Sequence, residues 1–396
     1  MITLLLFYMS APIEAGELEN SNDYTFKSIG REDFGTDFCS QPVKLGNGKI
    51  ALPDLNRVLR IFDGVKPVLL SEFKLPGAVG WTPVLVRKEQ SDKNEWSLVM
   101  GTSNGHIIFY RNGKTLTTSK VSDSGLSGIA VRGEKMVFGS GNGTVFFMNY
   151  DGTPYRFPIR VKGAIEVAPT ILQDGTVVVS TVDGPVYFID KDNSYKCIEI
   201  TGQPTSAVQL KNGTVLVGCL KDGQINNTRN NGLHGELLFL SSSSDKTPRI
   251  TKSIEFDSPI GTKPFIFKNK ANEENILVAT MDGDLYVIDI EGNIKRKKRG
   301  RFISQVDEYN RHSITLESFA TDIKSIYLSG THMFLIVGDV GQVLYLIDQD
   351  LAIIGCYKPT RGGLSQSPIV LEHNKLALTL ANGIEYLTVS KNTDQK

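Results

Sequence analysis

The chain has 396 residues, 40% hydrophobic and 22% charged, which is enough for two average domains or one large repeat architecture. Forty-three basic residues balance forty-three acidic ones, so no global field draws the molecule to nucleic acid or to an anionic membrane surface. Four scattered cysteines, Cys39, Cys197, Cys219 and Cys356, form no CxxC and no adjacent pair, which argues against a zinc ribbon, a thioredoxin-like redox site or a disulfide-dense scaffold.

The first residues have their own composition. Ile2 to Met9 is a short apolar run, and Ser10 to Gly16 follows with small residues. This pattern is that of a secretory signal cleaved after Ala15, leaving residues 16–396 as a single mature domain, periplasmic or secreted. No Lys or Arg precedes the run, and the alternative is an ordinary N-terminus on a cytoplasmic protein. Cys39 stands too far from the run to be a lipoprotein acylation site, and no later stretch approaches the roughly 20 apolar residues that span a bilayer.

From Ser40 onward the chain repeats one phrase. A strand that often begins with proline comes first, as in Gln41-Pro-Val-Lys-Leu45, Thr82-Pro-Val-Leu-Val86 and Ala168-Pro-Thr-Ile-Leu172. Proline is tolerated at a strand's first residue, where no ladder donor is needed. A turn such as Gly46-Asn-Gly48, Gln173-Asp-Gly175 or Lys211-Asn-Gly213 leads into a hairpin of two apolar, β-branched runs. The hairpin turns on Asn-Gly or Asp-Gly, which accept the positive φ of a tight turn. Its copies end at Gly105, Gly143, Gly184, Gly223, Gly283, Gly341 and Gly383, mostly spaced about 40 residues apart and twice about 60. A degenerate first copy, Lys49 to Phe62, has Leu55-Asn56 at the turn. A third turn follows each hairpin, as at Asn112-Gly113, Asp151-Gly152 and Glu291-Gly292.

Three turns define four strands, A to D, and eight such units predict an all-β, eight-bladed propeller of four-stranded antiparallel blades. The last unit shows three strands. The N-terminal Asp23 to Ile29 is expected to supply its outer strand and so close the ring with both ends of the chain.

The phrases Thr176 to Asp190 and Ile276 to Asp289, with the strand start Ser367-Pro-Ile-Val370, resemble the PQQ-like repeat of quinoprotein propellers, which also typifies the outer-membrane assembly protein BamB. Quinoprotein dehydrogenases of that family carry a docking tryptophan after the Gly-Lys step of each unit and an adjacent cysteine pair over the cofactor. Here Gly113 to Leu116, Gly152 to Tyr155 and Gly292 to Lys295 contain no tryptophan, and Trp81 and Trp96 both fall in unit 2. The resemblance therefore implies the fold without the cofactor. The expectation is a non-enzymatic, protein-binding or assembly scaffold of the bacterial cell envelope, with protein partners and no nucleic acid. The alternatives are a PQQ- and calcium-dependent dehydrogenase, or a carbohydrate-binding propeller with a carboxylate pair and aromatic platforms in its central channel.

The chemistry-bearing residues are few. Asp and Asn recur in the turns because the turns need them, and the five histidines lack HxxxH or HExxH spacing. Two interruptions of the repeat stand out. One, about residues 224–235, lies in the B–C connection of unit 5 and holds Asn227, Arg229 and His234. The other, about residues 300–316, lies between units 6 and 7, preceded by the basic run Lys295, Arg296, Lys297, Lys298, Arg299 and Arg301. B–C and D–A connections leave an up-down blade on the same face, so both interruptions and the run are expected to form one partner-binding surface.

Overall fold

Each unit of sequence becomes one twisted antiparallel sheet. The computed structural model describes residues 23–36, 38, 40–88, 95–222, 233–241, 247–260, 262–281, 283–298, 323–337, 343–364, 366–372 and 374–392. Within them, eight sheets follow in chain order, each built A-B-C-D by neighbouring strands. Blade 6, for example, runs Phe265–Lys268, Glu274–Ala279, Leu285–Asp289 and Ile294–Lys298. The turn glycines do what the repeat requires of them: Gly105, Gly143 and Gly283 hold φ of 82°, 83° and 90°. A side chain at such angles would be strained.

The strand pattern explains why a ring forms. The B strands are buried end to end, as in Trp96–Gly101 and Val177–Ser180, so both faces of each sheet must be covered. The described residues form eight hydrophobic clusters, each shared by two neighbouring blades. The outer D strands carry the solvated face, as the alternating exposure of Leu69–Lys74 shows. Short A strands line the centre.

The ring closes as the sequence predicts, over a longer stretch. Tyr24–Asp33 pairs antiparallel with Gly383–Lys391, from Tyr24 opposite Lys391 to Asp33 opposite Gly383, and is the outer strand of blade 8. Tyr24 and Phe26 enter the cluster between blades 7 and 8.

Three details differ from expectation. The inner strand of blade 5 is broken into Gln203–Pro204 and Val208–Gln209, which pair with different stretches of Val215–Asp222. In blade 1 the positive φ of the B–C turn falls on Arg57, at 63°, one residue past Leu55-Asn56. The unit 5 interruption is shorter than expected, because His234 and Gly235 belong to the strand Leu233–Ser241, opposite Lys221 and Leu220.

Blade 1 also contains a buried polar device that its sequence conceals. In blades 2, 4 and 6 the last residue before the B–C turn is a buried threonine, Thr102, Thr181 or Thr280, whose hydroxyl bonds backbone across the turn. Asp54 takes this position in blade 1 and is wholly buried. Its Oδ1 accepts from the Val58 amide at 2.8 Å, as the Thr102 hydroxyl accepts from the His106 amide at 2.8 Å. Its Oδ2 is bound by the Arg60 guanidinium, whose Nε donates to Glu72 at 2.8 Å. Phe34, just past the closing strand, lies 4.8 Å from the guanidinium and covers it.

Candidate partner-binding face

The antiparallel order puts A–B and C–D turns on one face of the ring and B–C and D–A connections on the other. The two interruptions of the repeat, residues 223–232 of blade 5 and 299–322 between blades 6 and 7, are both flanked by strands that end on the second face. Between them lies the B–C turn of blade 6. Its Met281 amide is tied to the Pro259 carbonyl at 2.8 Å, while its side chain is 40% exposed. Leu55 and Trp81, also exposed, belong to the same face at blade 1 and at the blade 1–2 connection.

The candidate residues divide. His234 is half-buried where strand C of blade 5 begins, on this face. Beneath it, Glu236 is buried, bound by the Lys221 ammonium and accepting from the Ser253 hydroxyl at 2.5 Å. Asn227, Arg229, Arg299 and Arg301 lie outside the described residues.

The basic run Lys295 to Lys298 forms the outer strand of blade 6, and it is engaged rather than displayed. Lys295 pairs with Asp289 at 2.7 Å. Arg296 pairs with Asp350 at 2.8 Å and donates to the Gln349 carbonyl at 3.0 Å, both in the C–D turn of blade 7. Lys297 pairs with Asp284 at 3.0 Å and lies 4.9 Å over the Tyr286 ring, whose hydroxyl also donates to Asp284. The strand begins beside the C–D turn, so Lys295 and Arg296 lie toward the face opposite the insertions. Lys298, opposite Leu285, ends the strand on the insertion face.

The Lys295–Asp289 pair makes a pH prediction. Burial works to raise the Asp289 pKa, but the Lys295 ammonium and the Asn293 amide and side chain outweigh it and hold the carboxyl at about 2. A depressed pKa contributes stability above the unfolded carboxylate value near 4 that is lost as pH falls toward 2. Asp289→Asn is therefore expected to cost on the order of 1–2 kcal/mol at pH 6, discounted for the exposed lysine. The deficit should shrink steadily between pH 4 and pH 2 in urea denaturation. A deficit constant across that range would contradict the ion-pair account.

Arg296 exemplifies a device used around the ring. Cations on one blade donate to a backbone carbonyl in the C–D turn of the next: Arg111 to Asp151, Arg156 to Asp190, Lys252 to Glu291 at 2.6 Å, and Arg296 to Gln349. Arg156 also donates to Asn193 at 2.7 Å and lies 4.2 Å over Phe147. These latches fasten each of these blades to the next at the C–D turn. Trp96 does join blades 1 and 2, but from the start of strand B, 5% exposed in their shared cluster. It fits because residue 46 is glycine: a Cβ there would lie 2.3 Å from the indole.

The central channel holds a cavity of about 580 Å³ lined by the inner strands of blades 5 to 8. Among its described lining residues Phe265 is the one aromatic, and none is a carboxylate. Cys197 and Cys356 lie on outer strands of blades 4 and 7. Cys219 is in strand B of blade 5, where burial pushes its thiol up to about 12. These three described cysteines lie in three different blades, so no two of them form the sulfur pair that would sit over a quinone. Among the described residues no group of His, Cys, Asp and Glu is placed to hold a metal ion, and no helix is long and apolar enough to cross a membrane.

No protein-family model and no curated protein sequence matches the chain. Solved structures do match in shape. A computationally designed protein, Ika8, superposes with a TM-score of 0.64 at 13% identity, covering 91% of this chain and 99% of its own. BamB from Moraxella catarrhalis superposes with a TM-score of 0.58 at 15% identity, covering 94% and 99%. At such identities what is shared is the fold, and the chain is an eight-bladed β-propeller, the fold that BamB also has.

Proposed function

We propose that this protein is a non-catalytic scaffold of the bacterial cell envelope that binds a protein partner through the insertion face of blades 5 to 7. The observation that carries the proposal is the departure of both interruptions of the repeat from one face of a closed ring, with the exposed Met281 between them. A rigid scaffold presenting irregular loops is the usual arrangement for recognition. The secretory-type pattern at Ile2 to Gly16 supports an envelope location, although those residues lie outside the described ones. The likeness to BamB supports the scaffold role by analogy of fold. The absence of catalysis is supported by how the buried carboxylates are used. Asp54, Glu236, Asp284 and Asp289 each bind a cation, which suits an ion pair better than a proton-transfer group. Glu385 differs: its Oε1 accepts from Tyr357 of the neighbouring blade at 2.8 Å, and its Oε2 has no hydrogen-bond partner.

Site-specific photo-crosslinking in the producing cells tests the face. A photoreactive residue at Met281 or His234 is expected to trap one defined protein, and the same residue at Val131, on the opposite face, is not. Shortening residues 223–232 and 299–322 to tight turns should remove the adduct. Equal trapping from both faces, or an adduct that survives the shortening, would refute the assignment.

A further inference from the structure

A second cavity of about 580 Å³ opens on the face opposite the insertions, among the A–B and C–D turns of blade 6 and the C–D turn of blade 7. Its described lining carries four carboxylates, Glu273, Glu274, Asp289 and Glu291, against two cations, Lys295 and Arg296. Both cations are already engaged, Lys295 with Asp289 and Arg296 with Asp350. Two further cations nearby are spent as well: Lys252 donates to the Glu291 carbonyl and Lys268 to the Asn272 side chain, each at 2.6 Å. Glu273 accepts from Asn269 at 2.9 Å and Glu274 from the Lys211 amide at 3.0 Å. Among the described residues, none of Glu273, Glu274 and Glu291 forms an ion pair. The wall also holds two buried amides, Asn275 and Gln349, 6% and 7% exposed. Each gives an amide hydrogen to a backbone carbonyl, Asn275 to Glu273 at 3.2 Å and Gln349 to Lys268 at 3.5 Å. No described donor reaches either amide oxygen, so what the lining leaves unspent is mostly acceptor.

We infer that this cavity binds a small linear organic cation with two or more amino groups. Ammonium groups are donors only, and the unspent groups here are carboxylate and amide oxygens. A single metal ion is the poorer fit, since no three of the described acidic groups are placed to hold one. Glu273 and Glu291 come instead from different turns, A–B and C–D. The negative charge is therefore spread along the cavity and calls for charge spread along the ligand. The chain supplies its own precedent in Lys295, an alkylammonium seated on Asp289 at 2.7 Å. Asp289 first, then Glu291 and Glu273, hold that ammonium above the usual lysine pKa. A volume of about 580 Å³ falls in the range of small-molecule sites, about 300–1,000 Å³. The site lies away from the insertion face and stands or falls separately from it.

The test titrates the full chain calorimetrically at low salt with spermidine, 1,4-diaminobutane, butylamine and magnesium. Spermidine or 1,4-diaminobutane is expected to bind saturably, about five-fold or more tighter than butylamine or magnesium, and to weaken as salt is raised. Glu291→Gln removes the charge of a carboxylate that forms no hydrogen bond among the described residues. Glu273→Gln keeps an oxygen for the Asn269 amide. Each should weaken the polyamine about two- to five-fold, with the unliganded melting temperature held as the folding control. Should Glu273→Gln fail that control, Glu291→Gln decides alone. Lys295→Met removes the resident ammonium, opens Asp289 to the ligand and should tighten the polyamine, read at a temperature where the variant is folded. The inference is overturned by polyamines that bind no better than butylamine or magnesium, by a Glu291→Gln chain that binds like the parent, by a Lys295→Met chain that binds more weakly, or by no saturable binding up to about 10 mM.

Discussion

A chain that begins at Phe34, lacking the strand Tyr24–Asp33, is expected to lose cooperative unfolding and to associate. That strand supplies the outer edge of blade 8 and hydrogen-bonds along the whole of Gly383–Lys391. Without it, the nine-residue edge Gly383–Lys391, with Ile384, Tyr386, Leu387 and Val389, stands open, the kind of edge that pairs with another copy. The loss also strips the blade 7–8 cluster of Tyr24 and Phe26, 6% and 9% exposed, at roughly 1.5–3 kcal/mol for each buried side chain. Together these are a large share of the 5–15 kcal/mol typical of a folded domain. A chain beginning at Asp23 keeps the strand and should unfold like the parent. Guanidinium denaturation with sedimentation velocity distinguishes the two, and identical midpoints with monomeric behaviour for both would show that the ring is not closed by this strand.

The second large effect is expected at Arg60. Arg60→Ala leaves Asp54, 0% exposed, without its cation, and an unpaired buried charge costs about 3–5 kcal/mol. The repeat itself provides the compensating pair. Blade 2 carries Thr102 where blade 1 has Asp54, and Ile108 where blade 1 has Arg60, and both are buried. The double change Asp54→Thr with Arg60→Ile restores that arrangement and is expected to recover most of the loss, since an apolar replacement of a buried ion pair is often neutral or stabilising. A double-mutant cycle read by denaturation should therefore be strongly non-additive. Additive costs would mean that the triad of Asp54, Arg60 and Glu72 does not act as a unit.

The sequence made local structure legible and left contact between blades obscure. Turn chemistry is local: Gly105, Gly143 and Gly283 announce their hairpins because only a few residue types accept those φ values. Seven such glycine turns and one degenerate copy establish blade number, strand order, the closing strand and the face from which each insertion leaves. Side chains that reach the next blade meet partners about 40 residues away, and nothing in the phrase marks them. Lys295, Arg296 and Lys297 therefore read as a solvated or partner-seeking charge run, whereas Asp289, Asp350 and Asp284 engage them. Asp54 reads as one more turn residue, and only the position of Thr102 in blade 2 reveals it as a buried substitute for a hydroxyl. The break in the inner strand of blade 5 likewise gave no local sign, because Pro204 is compatible with the strand start seen in its relatives.

The blade latches have a consequence for how such a chain can change over time. Arg111, Arg156, Lys252 and Arg296 all end on backbone carbonyls of the neighbouring C–D turn. Every residue type offers that acceptor, so the turn on the receiving side can be rewritten without unfastening the ring, as long as its path is kept. Constraint is concentrated on the donor and on the turn's backbone angles, while the outward-facing identities stay open to selection. A propeller fastened in this way can drift far in sequence and still hold its shape.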